Sequence, residues 1–197
     1  GWTFAAAGRR SWLDAWLGPV LEEAGAGVTT APRYYDYQLI LERQWQDASL
    51  RLSFYGSDDA LEVLVREPDP GEPALSGSLG FGTAFQRWQV GYELRPGPLD
   101  QIETELALGH ESINVGLGSL YFDVDAISVF ARTEYARTLA KQVRLNTGLD
   151  LLFASVSFAA RLPAPQRPGS PPNQPYSTRT VIAADFGNNN GLLVGPE

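Results

Sequence analysis

Few residues of this chain are equipped for chemistry. His110 is the only histidine, and Ser112 follows two positions later. In an extended strand, positions i and i+2 share a face. An imidazole beside a hydroxyl is the minimum needed to make a serine nucleophilic for acyl transfer. Glu111 points to the opposite face, Asn114 lies beyond, and the pair is left without an assigned orienting acid. With one histidine and no cysteine, a zinc or other transition-metal site has no ligand set. Asp58-Asp59 and Glu67, Asp69 and Glu72 offer oxygen ligands, but without calcium-loop spacing they read as solvated loop charge. Gly80-Phe81-Gly82 and Gly116-Leu117-Gly118 lack the strand-to-helix setting of a phosphate loop and read as relief of crowding within strands. The chain is therefore read as a non-enzyme with no catalytic residue, no metal site and no cofactor.

A second group of charges stands on the polar sides of alternating segments: Arg51, Glu103, Glu105, Arg132, Glu134, Arg144 and Asp150. These are the lumen-facing candidates. They would line a solute path, hold a plug by ion pairs, or pair across strands to stabilise a wet interior, and cross-strand pairing is the simplest of the three.

The elements that position them are strands. Tyr35, Tyr37, Leu39 and Leu41 alternate with Asp36, Gln38 and Glu42, and Leu50, Leu52 and Phe54 with Arg51, Ser53 and Tyr55. The same pattern recurs from Trp88 to Leu94, Ile102 to Leu108, Ile127 to Tyr135 and Val143 to Leu151. A first strand from Trp2 to about Trp12 and a last one near Thr178 to Phe186 bring the expected total to about eight, each near the 9 to 11 residues that cross a bilayer. Connections near 46–49, 96–100 and 139–142 are short. Those near 13–33, 57–78 and 162–177 are long and rich in Pro, Gly and acidic residues, and 115–120 is intermediate. Short turns alternating with long loops are what a meander crossing an outer membrane produces, with the first strand running outward. Two local features stand apart. Leu79, Phe81, Thr83 and Phe85 hold odd positions whereas Trp88 to Leu94 hold even ones, which implies a bulge near Gln86-Arg87 or a strand extension beyond the membrane. Leu13, Trp16, Leu17, Val20 and Leu21 have helical spacing, broken by Gly18-Pro19, and predict a short helix.

Composition agrees with one ordered domain spanning 1–197. Of 197 residues, 44% are hydrophobic and only 19% charged, and the net charge of −8 argues against nucleic acid as a partner. There is no run of about 18 apolar residues for a transmembrane helix, and Gly1-Trp2-Thr3-Phe4 does not open a signal peptide. The chain lacks methionine and starts at once in an alternating pattern, so it reads as a segment of a longer protein. Three features favour a membrane barrel over a soluble sandwich. The polar faces are small or charged along their whole length. Aromatics collect near strand ends, at Tyr34, Tyr35, Tyr37, Trp45, Tyr121, Phe122 and Tyr135. The strands are also long for a sandwich. The expected fold is all-β: an antiparallel up-and-down meander forming a transmembrane β-barrel, or the N-terminal part of a larger one, with outer-membrane lipid as its surroundings.

The stretch Phe4-Ala5-Ala6-Ala7-Gly8-Arg9-Arg10-Ser11-Trp12-Leu13-Asp14-Ala15 resembles the first barrel strand after the plug in TonB-dependent receptor-like proteins of the myxobacterial type. Tyr34-Tyr35-Asp36-Tyr37-Gln38 with Leu52-Ser53-Phe54-Tyr55-Gly56-Ser57-Asp58-Asp59 resembles the hairpin that follows. The resemblance runs through most of the chain. It implies a wall segment of a barrel of about 22 strands in the bacterial outer membrane, with a plug domain and TonB as partners through other regions and a scarce nutrient, such as a metal chelate, as cargo. No binding residue is carried over, and the tail from Asn188 to Glu197 lacks the terminal aromatic of a complete barrel. His110 and Ser112 are similar to the His-x-Ser pair of eight-stranded lipid A deacylases, although Ile113 stands where that family has asparagine. That likeness implies the alternative, a self-closed barrel acting as an enzyme or a surface-interaction protein.

Overall fold

Alternating aromatic, branched and polar residues become hydrogen-bonded strand almost throughout, because extended backbone lets each face be chemically uniform. The computed structural model describes residues 1–23, 28–30, 32–65, 77–163 and 181–196. The elements are β1 (Trp2–Arg10), α1 (Leu13–Glu23), β2 (Val28–Thr30), β3 (Arg33–Gln44), β4 (Ala48–Val65), β5 (Gly77–Gly97), β6 (Asp100–Leu117), β7 (Leu120–Ala140), β8 (Val143–Pro163) and β9 (Val181–Pro196). They form one nine-stranded sheet in the order β1-β3-β4-β5-β6-β7-β8-β9, every ladder antiparallel, with β2 pairing only with β4. Val28 to Thr30 pair with Val65 to Val63, prolonging the edge that β3 leaves where Arg33 pairs with Ala60. This is the expected up-and-down meander. It is open: among the described residues no ladder joins β1 to β9.

One edge of the sheet carries the short turns. Trp45 N donates to Ala48 O at 2.8 Å to close the first, and the next turns are Pro98-Leu99 and Lys141-Gln142. Adjacent turns are tied to each other, Arg95 N to Asp47 O at 2.7 Å and Thr138 N to Leu99 O at 2.8 Å. The opposite edge carries α1, the termini of the 66–76 and 164–180 connections (outside the described residues), and one tight turn. That turn, Gly118-Ser119, corrects the intermediate connection expected over 115–120. Gly118 has φ of 57°, which a side chain would strain, and this lets two residues reverse the chain. The helix forms where its spacing predicts it. Ser11 Oγ accepts from Leu13 N at 3.3 Å to cap its start, and Pro19 is accommodated inside it.

Strand length is the main correction. β4 to β8 have 18 to 21 residues, about twice a bilayer crossing, so 57–65 and 77–78, expected within a loop, are strand. The last strand likewise runs over Val181–Pro196 rather than ending near Phe186. The parity switch in β5 is not a bulge. Its pairing with β4 is unbroken from Gly77 to Leu94, and its pairing with β6 from Leu79 to Leu94, so β5 is one continuous strand through the switch. Register shifts occur instead at 94/97, 138/140 and 156/158.

Only Leu120, Ala136 and Ala160 are buried hydrophobics among the described residues. Trp88 is 53% exposed, Leu106 50%, Ile127 48% and Leu145 49%. One sheet with no second layer against it leaves these side chains without a protein core.

Candidate functional site

Cross-strand pairing decides which residues share a face. In the half of the sheet nearest the short turns, one face is apolar. Leu39, Phe54, Trp88, Leu108, Val129 and Phe153 follow one another across six strands, and Leu41, Leu52, Val90, Leu106, Ala131 and Leu151 form the next row. Phe54 stacks on Trp88 with ring centroids 3.8 Å apart and on Tyr37 at 5.3 Å.

The opposite face carries the predicted charges, and all seven candidates fall on it. Glu42, Arg51, Gly91, Glu105, Arg132 and Asp150 form one row. Arg51 lies 3.4 Å from Glu42, and Arg132 lies 3.5 Å from Glu134 and 3.9 Å from Asp150. The row beside it sets Glu93, Glu103 and Glu134 directly opposite one another, an unfavourable juxtaposition that neighbouring donors relieve. Arg95 pairs with Glu93 at 2.6 Å, Gln101 Nε2 donates to Glu103 at 2.6 Å and to Glu93 at 3.1 Å, and Arg144 donates to Gln101 at 3.0 Å. Ser53 donates to Gln89, which donates to Glu105 at 3.2 Å. A cleft of about 580 Å³ lies here, lined among others by Arg51, Ser53, Gln89 and Glu105. Glu42, Gln89, Glu93 and Gln101 were not among the predicted residues, although their strand parity marks them for this face.

Beyond the row of Tyr37, Gly56, Gln86, His110, Ile127 and Ser155 the two faces exchange character. The face that was apolar now carries Asp58, Ala84, Ser112, Asp125 and Ser157. The face that was charged carries Phe81, Phe85, Ile113, Val124, Val156 and Phe158. Phe122 meets Phe158 edge-on at 5.1 Å, and Tyr55 meets Phe85 at 6.1 Å.

His110 lies in this changeover row. Its Nε2 is 2.9 Å from Asp125 Oδ2, and Asp125 is the cross-strand partner of Ser112. Asp125 is thus a carboxylate beside His110 that sequence alone did not place there. No hydrogen bond joins Ser112 to His110 among the described residues. Asn114 donates instead to Asp123 at 3.1 Å. The sequence signal was the turn: a two-residue reversal at 118–119 fixes which positions face each other across β6 and β7. Elsewhere in this half of the sheet, Arg9 pairs with Asp36 at 2.6 Å. Burial, reinforced by Asp36 and Asp58 and opposed by Arg9, raises the Asp59 carboxyl above its ordinary value. Among the described residues no three His, Asp or Glu side chains gather as a metal site requires.

No family model matches the chain, and no curated protein or solved structure matches it.

Proposed function

We propose that the chain is part of the wall of a bacterial outer-membrane β-barrel, belonging to a TonB-dependent receptor-like transporter that takes up nutrients such as metal chelates. The observation that carries the barrel is the single-layer sheet whose short-turn half has an unbroken apolar band on one face and a charged, hydrogen-bonded opposite face. In water such a face requires a second layer, whereas in a bilayer lipid is that layer. On β8 the apolar residues run from Val143 to Phe153, and about ten steps of ~3.3 Å, tilted ~40°, give a band about 25 Å tall, the height of a membrane barrel's apolar belt. The charged face then lines the lumen. The transport reading rests on the likeness of the wall motifs to such receptors, with a plug and TonB as partners.

Reconstitution into vesicles containing brominated lipid tests the barrel. Quenching of Trp88 is expected, and a chain that stays monomeric in water without detergent would sink the membrane assignment. Transport is tested by deleting the gene that encodes the full protein. Uptake of one chelated metal or similar nutrient should fall, and uptake in the parent strain should stop when the proton gradient is dissipated. Unchanged uptake across a nutrient panel counts against the receptor.

The His110 to Asp125 contact supports a second reading, a barrel that hydrolyses acyl esters of membrane lipid. Ser112 stands on the lipid-side face just past the apolar band, where such an ester would lie. Ser112→Ala should then abolish lipid deacylation, and absent activity in the parent chain would dismiss this reading.

A further inference from the structure

The apolar face ends, beside the first short turn, on an arginine with no carboxylate partner. Arg43 alternates in phase with Leu39 and Leu41, so it stands on the lipid-side face, and its direct cross-strand partner is Trp2. Trp45, two positions on, lies at the start of the polar turn Trp45-Gln46-Asp47. The Arg43 guanidinium carbon lies 4.9 Å from the Trp2 ring and 4.8 Å from the Trp45 ring, so both indoles hold it. Trp2 and Trp45 are themselves 53% and 43% exposed. Two other arginines of this face have carboxylate neighbours: Arg33 lies 4.0 Å from Asp58 and Arg137 3.7 Å from Asp100. No carboxylate lies within ion-pair distance of Arg43 among the described residues.

We propose that Trp2, Arg43 and Trp45 form a binding site for the phosphate of an anionic glycerophospholipid in the leaflet on the short-turn side. Stacking against indoles occupies the faces of a guanidinium but not its edge, where its N–H donors lie in a plane that matches two phosphate oxygens. Indoles settle at the level of lipid headgroups, with apolar rings against the acyl chains. The clamp therefore presents an unneutralised cation at the depth of the phosphate, and charge complementarity selects an anionic lipid. The inference rests on the barrel-wall reading.

The test is reconstitution of the chain into phosphatidylcholine vesicles doped with phosphatidylglycerol. Extraction into mild detergent and native mass spectrometry then count the retained lipids. The parent chain should retain phosphatidylglycerol about fivefold above its share of the vesicle, as one basic residue at an anionic surface provides. Arg43→Gln should return the ratio to that share, while Arg43→Lys, with charge but no planar fork, should fall between. Arg137→Gln, beside the Asp100 carboxylate, should change nothing. Equal enrichment in the parent and Arg43→Gln chains overturns the site, as does an inserted parent chain without enrichment. Failure of the parent chain to insert at all overturns the barrel reading instead.

Discussion

At the scale of single residues, the sheet tolerates side chains very unevenly. A Cβ placed on Gly148 would stand 2.7 Å from the carbonyl oxygen of Thr133, and backbone in a ladder cannot step aside. Gly148→Ala should therefore cost about 1–3 kcal/mol, read from urea unfolding in a lipid or detergent environment. Gly80 has nothing within 4 Å of the same position, and Gly80→Ala should change stability by no more than about 0.5 kcal/mol. Asp59 gives a pH-dependent case. Its pKa is raised in the fold by burial and then by Asp36 and Asp58. Its contribution is therefore fully present below the unfolded value of 3.8 and is lost as pH rises through the folded value. Asp59→Asn, neutral throughout, should raise the unfolding midpoint near pH 7 and lose that advantage in acid. An equal gain at about pH 3 would refute the linkage.

Among the elements, the strands are the part of this molecule that the sequence discloses best, and the reason is specific. From Ile127 to Tyr135 or Trp88 to Leu94 the alternation has one phase, so each strand and its facing residues can be read directly. Past Gly56, Gln86 and His110 the phase of the apolar residues inverts. Leu61 and Val63, or Phe81 and Phe85, then break the pattern that defined the strand, and half of β4 reads as loop. The charges of the polar face were legible for the same reason, since parity alone assigns them. The contact of His110 with Asp125 was not legible, because it depends on a turn length that Gly118 sets. The absence of cysteine allows a clean test of the inversion. Single cysteines at 127, 129, 131 and 133 of β7 should resist a water-soluble maleimide in vesicles, whereas 128, 130, 132 and 134 should react. Towards the chain start of β7, positions 123 and 125 should become reactive too. Uniform labelling along the strand would rule out a lipid-facing band.

For the whole molecule, the open edges of β1 and β9 govern behaviour. Each presents a row of backbone N–H and C=O groups that costs several kcal/mol per group if left unpaired in hydrocarbon. The chain of residues 1–197 alone should therefore self-associate in detergent, seen as a mass above 21.5 kDa per particle by light scattering after subtraction of detergent. A monodisperse monomer would show instead that β1 and β9 find each other.

The meander order has a consequence for assembly and for history. Apart from β2, each strand pairs only with its nearest long-strand neighbours along the chain. Each step closes onto the strand just before it, so the sheet can grow by adding one strand at a time to an existing edge. For the same reason, duplication or loss of one hairpin leaves every other ladder intact. Such a sheet can change its width over evolutionary time by whole hairpins without redesigning the strands that remain.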